Sequence, residues 1–421
     1  MRGYDGALQY LFGLERFGTV LGLENVRSIL ALFGDPQVSL PVIHVAGTNG
    51  KGSVSAMASA ILKGAGYCVG TYTSPHLISF TERITINATP LSEDAVAALA
   101  ERMRVAIEAT GRGRFFTFFD FTTAMALLCF REQNVDAAVM EVGMGGRLDS
   151  TNVVDPAVTI VTNVSRDHTD YLGNSIQAIA SEKAGIMKPG IPVVTATTGE
   201  ALDVIERRAE ELACPVYRPA RGFRFKKLGE QRMAYDGPRF RLPELFVNLA
   251  GDHQLTNAAV ALCAAEVFSQ GRRPLDPEKT SKALREVVWP GRLEIVRRTP
   301  SILLDGAHNV DGMRSLGSYL RDYYGTKQKI LIFGAMKDKD YAAMLREISL
   351  SVDRIVVTAP AMDRAADPET LASLVDNPVI VPAVFEALRT AKSLAGGDDL
   401  IVVAGSLFLV AEVKRYIDEI F

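Results

Sequence analysis

The segment His44–Ser53, HVAGTNGKGS, constrains this chain most. It follows the apolar run Pro41–Ala46 and precedes VSAMASAIL, in which Val54, Met57, Ala58, Ile61 and Leu62 share one face at helical spacing. Strand, glycine-rich loop and helix in that order are the context of a phosphate-binding loop. The glycines let backbone N–H groups turn towards one point, and the helix N-terminus adds its positive dipole end. Lys51 adds a full charge for the outer phosphates. The spacing is a variant. Where the common loop has a glycine four residues ahead of Gly-Lys, Val45 stands here, and Gly52 displaces the usual hydroxyl to Ser53.

Such a loop needs an α/β framework, and apolar strand-like runs alternate with helical patterns over most of the chain. The clearest early strands are Val42–Ala46, Ala137–Val142, Ala157–Thr162 and Ile191–Thr195. The stretch Gly222–Pro243 reads instead as a β-hairpin or small antiparallel excursion with a turn at Asp236-Gly237. A second strand series begins after Trp289–Arg298, at Ser301–Leu304, Lys329–Phe333, Arg354–Thr358, Val379–Val381 and Leu400–Val403. At 421 residues two domains are expected. We place a phosphate-loop domain with a mostly parallel sheet at 1–295 and a smaller Rossmann-like α/β domain at 296–421.

Composition narrows the partners. A formal net charge of −3 gives no general attraction for nucleic acid or an anionic membrane, so any phosphate site is local. No apolar run approaches a membrane span, and the N-terminal stretch, broken by Asp5, Glu15 and Arg16, lacks a signal-peptide core. The four cysteines are widely spaced, as in a reducing compartment. A cytoplasmic protein is expected, with a monomer as the default.

A phosphate loop alone does not choose a reaction; the ends of the neighbouring strands do, because ligands of open α/β sheets gather there. Glu141 ends a buried strand before a glycine-rich turn, where an acid serves Mg²⁺ beside the β- and γ-phosphates. His168 sits between Asp167 and Asp170 after another strand. Lys183 lies on the apolar face of its helix with Ile176, Ile179 and Ala180, where a lysine either snorkels or is functional. Desolvation favours a neutral amine, the form that reacts with carbon dioxide to give a carbamate.

The ordered set GTNGKGS, TSPHL, EVGMGGRLDSTN, DHTDYLG, SEKAGI, HQLTNAA and DGAHN resembles folylpolyglutamate synthase and its bifunctional relative with dihydrofolate synthase, in the Mur ligase superfamily. The likeness runs from about residue 20 to the C-terminal GSLFLVAEV. It implies an ATP-dependent ligase that converts a carboxylate of dihydropteroate or reduced folate to an acyl phosphate and couples it to L-glutamate. It also implies roles by position. Asn49, Gly50, Lys51, Gly52 and Ser53 resemble the ATP phosphate contacts, Asn257 the adenine contact, and Arg292 and Asp305 further ATP contacts with His308 beside them. Ser74, Glu141 and His168 resemble Mg²⁺ ligands, with Lys183 matching a lysine found carbamylated in that family. Lys51, Lys183 and His308 are thereby the expected catalytic residues. Val20, Leu21 and Gly22, then Thr117, Phe118, Phe119 and Asp120, then Leu148, Asp149 and Ser150 resemble the pterin pocket of the bifunctional enzymes.

Two positions depart from the pattern: Val310 replaces a frequent proline after DGAHN, and TFFD ends in Asp120 where the bifunctional pattern has glutamate. Two other readings compete. A cell-wall Mur-type amino-acid ligase usually carries an additional N-terminal domain for a uridine nucleotide, and a loop starting at Gly47 leaves it no room. A nucleotide-gated binding protein has no need of the acid, histidine and lysine at strand ends.

Overall fold

The computed structural model describes residues 3–18, 20–111 and 116–421. They form two compact units: Met1–Ser165, Leu172–Asn248 and Leu255–Val287 in the first, and Arg166–Tyr171, Leu249–Gln254 and Val288–Phe421 in the second.

The first unit is built on an eleven-stranded sheet whose middle is parallel. Val42–Ala46 lies between Ala137–Glu141 and Val158–Val161, and Val69–Tyr72 and Val193–Thr195 flank these. All five strands are buried along their length, as expected of a parallel sheet covered by helices on both faces. That is why they read as unbroken apolar runs. The register pairs Val45 with Glu141 and Ala46 with Val161, so three strands end together beside the phosphate loop. Helix Lys51–Gly64 packs on the neighbouring strands. Helix Phe118–Glu132 is apolar all round and buried almost throughout, with Gly3–Gly13, Glu24–Ala31 and Glu93–Ala109 against it. Thr117 starts it with a capping box: its hydroxyl accepts from Asp120 N–H while Asp120 accepts from the Thr117 amide.

The excursion after residue 221 is a three-stranded antiparallel meander, Gly222–Gly229, Arg232–Asp236 and Arg241–Phe246. Glu266, on helix Asp252–Phe268, pins its second turn. It accepts from Tyr235 Oη at 2.7 Å and from the Arg239 and Phe240 amides at 2.8 and 3.3 Å.

The second unit holds a six-stranded sheet. Ser301–Leu304, Leu400–Ala404, Lys329–Phe333, Arg354–Ala359 and Val379–Ala383 run parallel, and Glu294–Arg298 caps the edge antiparallel.

Candidate nucleotide and ligase site

The phosphate loop, residues 47–50, is clamped to the end of the Val158–Val161 strand. Thr48 N–H donates to Asn163 O at 3.0 Å, Asn49 N–H to Asn163 Oδ1 at 2.7 Å, and Thr162 Oγ1 to Asn49 O at 2.6 Å. Thr48 Oγ1 and Ser165 exchange two further bonds at 3.1 Å. Both glycines are required. Gly47 has φ +152° and a Cβ there would lie 1.8 Å from Thr162 Oγ1; Gly50 has φ +82° and its Cβ would lie 2.7 Å from Asn257 Oδ1. Gly50 brings no capping side chain to the helix starting at Lys51, the arrangement that suits an anion at a helix N-terminus. The adjacent Asn257 places the residue matching the adenine contact against the same loop.

Two lysines converge here. Lys51 Nζ donates to the carbonyls of Gly47 and Thr48, both at 3.1 Å. Lys183, at 3% exposure, does not snorkel: its Nζ donates to Gly47 O at 3.0 Å. Glu141 is buried at its strand end and accepts the Ser74 amide at 3.1 Å. Among the described residues no three His, Cys, Asp or Glu gather as a metal cage. Glu141 and the Ser74 hydroxyl are hard oxygen donors, a set that fits Mg²⁺, which takes one or two carboxylates and completes its shell with phosphate oxygens and water.

The three segments matched to the pterin pocket meet. Gly22 N–H donates to Leu148 O at 3.2 Å, and Ser150 Oγ donates to Asp120 Oδ1 at 2.7 Å. Asp120, fully buried, also accepts from the Thr117 hydroxyl at 2.8 Å, and through Ser150 it ties its own segment to 148–150. Val20 and Leu21 are exposed, and Phe119 packs towards Tyr72 with ring centroids 5.9 Å apart. Asp149 accepts the amides of Met144 and Thr151 at 2.9 and 3.0 Å, and burial raises its pKa. His44, on the strand below the loop, contacts Thr151 Oγ1 at 2.9 Å. Full burial, with a smaller contribution from the charge of Lys188, lowers its pKa to about 3, so it is neutral.

In the second unit the segments of Arg292 and Asp305 come together. Asp305 accepts the Leu293 amide at 2.9 Å and the Ala307 amide at 3.0 Å, and Gly306 N–H donates to Gly291 O. The hub of this unit is Asp167, a residue the sequence reading passed over in favour of its neighbour His168. Its carboxylate takes Lys339 Nζ at 2.6 Å and Asn309 Nδ2 at 3.1 Å, with His308 Nε2 at 3.6 Å and His168 Nε2 at 3.9 Å. Burial alone would raise the Asp167 pKa. The hydrogen bond and charge of His308, with His168 and Lys339, outweigh it and hold the carboxyl well below its usual range. His308 Nδ1 faces Gly306 O at 2.8 Å. His168 itself is partly exposed, with φ +50°. The proximity of Asp167 to His168 in DHTD was the only sequence signal for this hub; Lys339 carried none.

A parallel sheet with a clamped glycine loop, a lysine at its helix start and a buried acid on the adjoining strand defines a nucleotide-binding α/β protein of the phosphate-loop class. The comparisons narrow this. The Mur ligase middle domain matches residues 45–265 and the Mur ligase glutamate ligase domain residues 291–407. The Bacillus subtilis dihydrofolate synthase/folylpolyglutamate synthase is 35% identical over 424 residues, 98% of either chain. A Mycobacterium tuberculosis folylpolyglutamate synthase complexed with ADP superposes with a TM-score of 0.90 at 30% identity, over 98% of both chains. An Escherichia coli structure in complex with DHPP and ADP gives 0.90 at 31% identity, again over 98% of both. The chain belongs to the folylpolyglutamate/dihydrofolate synthase family of Mur ligases and is an ATP-dependent ligase.

Proposed function

We propose that this chain activates a carboxylate of dihydropteroate or a reduced folate with ATP and joins it to L-glutamate, acting as a folylpolyglutamate synthase and also as a dihydrofolate synthase. The observation that carries the reading is the register of Val45 with Glu141, which sets a buried carboxylate beside the first residues of the phosphate loop. In the first step a carboxylate oxygen bonds to the γ-phosphorus and ADP leaves. In the second the glutamate nitrogen bonds to the acyl carbon, phosphate leaves and the amine gives up a proton. Carboxylate is a poor electrophile; acyl phosphate carries a good leaving group.

Asn49–Ser53 would cradle the phosphates, Lys51 turning from its own loop carbonyls to the outer phosphate. Glu141 and Ser74 would hold Mg²⁺, which supplies charge neutralisation at the β- and γ-phosphates. We assign Lys183 as the site of a carbamate: its neutral amine bonds to the carbon of CO₂ and loses one proton, turning a buried cation into an oxygen donor. His308, oriented by Gly306 O, suits the proton handling at the amine. The segments 20–22, 117–120 and 148–150, joined through the Gly22–Leu148 and Ser150–Asp120 bonds, support a pterin site.

The test is phosphate release from ATP with dihydropteroate or reduced folate, with and without glutamate. Dependence on both pterin and glutamate is expected. Release that ignores the pterin, or requires a uridine-nucleotide peptide precursor, would overturn the reading.

A further inference from the structure

Arg83 is a buried cation that the chemistry above leaves unused. It ends the short turn Phe80–Arg83 and is 7% exposed. Its Nε donates to His76 Nδ1 at 2.8 Å, and the guanidinium carbon lies 5.0 Å from the Phe118 ring centroid and 5.9 Å from that of Phe80. Its two Nη groups make no hydrogen bond or ion pair with any described residue. The acids within electrostatic reach are Glu15, Glu141 and Glu82. Glu82 is engaged by the amides of Leu77, Ile78 and Ser79, and Glu141 by that of Ser74. A guanidinium taken out of water ordinarily recovers its lost solvation from a carboxylate or phosphate that fits its planar fork. Burial lowers the pKa of this one, yet arginine keeps its proton in proteins. Among the described residues the charge therefore stands without the anion it would normally be buried with.

Its surroundings suggest what the anion is attached to. Phe80 and Phe118 meet edge to face at 6.1 Å, and Phe12 stacks on Phe118 at 5.8 Å with an interplanar angle of 9°. Phe12 is 39% exposed, so this aromatic wall reaches the surface. Phe118 belongs to the 117–120 segment matched to the pterin pocket. On the other side, Thr73 N–H donates to Arg83 O at 3.0 Å, which ties Arg83 to the strand end carrying Ser74 and hence Glu141. A cationic fork beside an aromatic wall, next to the acid proposed for the γ-phosphate end of the nucleotide, is suited to a carboxylate carried by a flat apolar group.

We infer that Arg83 is a specificity-determining residue that holds the substrate carboxylate about to be activated, with Phe12 and Phe118 as the wall against which its organic portion lies. This rests on the ligase reading above. The two Nη groups fix the carboxylate plane while one oxygen attacks phosphorus, and the other oxygen keeps its hydrogen bond in the acyl phosphate. That bond draws electron density from the acyl carbon when the amine attacks.

The wild-type protein, Arg83→Lys and Arg83→Met are titrated with dihydropteroate, with its neutral carboxamide and with ADP, and turnover is measured with dihydropteroate and with a reduced folate. Wild type is expected to prefer the carboxylate by about 10- to 100-fold, the worth of a charge-assisted pair. Arg83→Met should bind carboxylate and carboxamide alike, Arg83→Lys should keep part of the preference, and all three should bind ADP equally. A merely structural arginine would weaken both pterins equally. An undiminished preference in Arg83→Met, or a loss confined to the glutamylated substrate, overturns the assignment. If Arg83→Met fails to bind ADP, Arg83→Lys and the wild-type carboxylate-to-carboxamide ratio decide. Phosphate release by wild type that ignores pterin removes the ligase reading and this inference with it; intact pterin-dependent release without a carboxylate preference removes this inference alone.

Discussion

Lys51 and Lys183 share one acceptor, the carbonyl oxygen of Gly47, at 3.1 and 3.0 Å. Their side chains come from helices more than a hundred residues apart in sequence, and the common acceptor holds the two nitrogens within about 6 Å of each other. Two ammonium charges at that separation repel by about 3 kcal/mol at an effective dielectric of 20. On the proposal above, Lys51 would find an outlet in nucleotide phosphate and Lys183, deeper and more enclosed, one in carbamate formation.

A carbamate at Lys183 predicts a bicarbonate requirement. Protein depleted of carbon dioxide should lose turnover and regain it when bicarbonate is returned. Lys183→Ala should be inactive at either bicarbonate level. Arg cannot form a stable carbamate while keeping the charge, so Lys183→Arg should lose at least about 100-fold in kcat, of the order seen when one group stabilising transition-state charge is removed. A fully active Lys183→Arg enzyme would exclude the carbamate.

Gly50→Ala tests the loop. At φ +82° a side chain is strained, and its Cβ would lie 2.7 Å from Asn257 Oδ1, so either the turn or the asparagine must shift. Nucleotide affinity should drop about 10- to 100-fold, given a strain of about 1–3 kcal/mol, while titration with dihydropteroate shows unchanged binding. Equal ADP binding by Gly50→Ala and wild type would show that the loop does not seat phosphate.

Much of this was legible in sequence because parallel strands buried on both faces leave unbroken apolar runs. Val42–Ala46, Ser301–Leu304 and Lys329–Phe333 have the same bounds in the structure as in the pattern. The antiparallel excursion was legible only as far as Pro243, and the strand Arg241–Phe246 runs on past that proline with several of its residues exposed. Lys183 stood out as a lysine on an apolar face, but its acceptor at Gly47 lies 136 residues away, and no periodicity reports such a distance. Asp167 was overlooked for the same reason: Lys339 and Asn309, which make it a hub, reach it from 172 and 142 residues on. Nothing in the sequence around Arg83 reports its burial against Phe80 and Phe118.

Glu141→Gln should stop ligation and leave the fold nearly intact. The glutamine carbonyl can still accept the Ser74 amide, so the hydrogen bond at 3.1 Å survives while the charge goes. Turnover should fall at least about 100-fold, as when a charge matched to a phosphoryl transition state is lost. The thermal midpoint should stay within a few degrees of wild type. Unchanged turnover would remove Glu141 from the site; a large drop in midpoint would make it structural instead.

His44 links the loop's foundation to acid stability. Its folded pKa is lowered to about 3, chiefly by burial, against about 6.5 in an unfolded chain. Below pH 6.5 the unfolded chain therefore binds a proton that the folded state refuses. The stability it contributes is complete above pH 6.5 and is lost progressively as pH falls towards 3. The slope from this residue alone approaches about 1.4 kcal/mol per pH unit well inside that window. His44→Gln supplies a nitrogen that can still donate to Thr151 Oγ1 but does not titrate. Urea unfolding at pH 7.5, 6, 5 and 4.5 should show the wild-type stability falling faster than that of His44→Gln below pH 6.5, with parallel behaviour above it. Because both proteins share every other titrating group, the difference between the curves isolates this residue. Curves that stay parallel down to pH 4.5 would mean that His44 accepts a proton in the folded state, and that its strand yields to let solvent reach it.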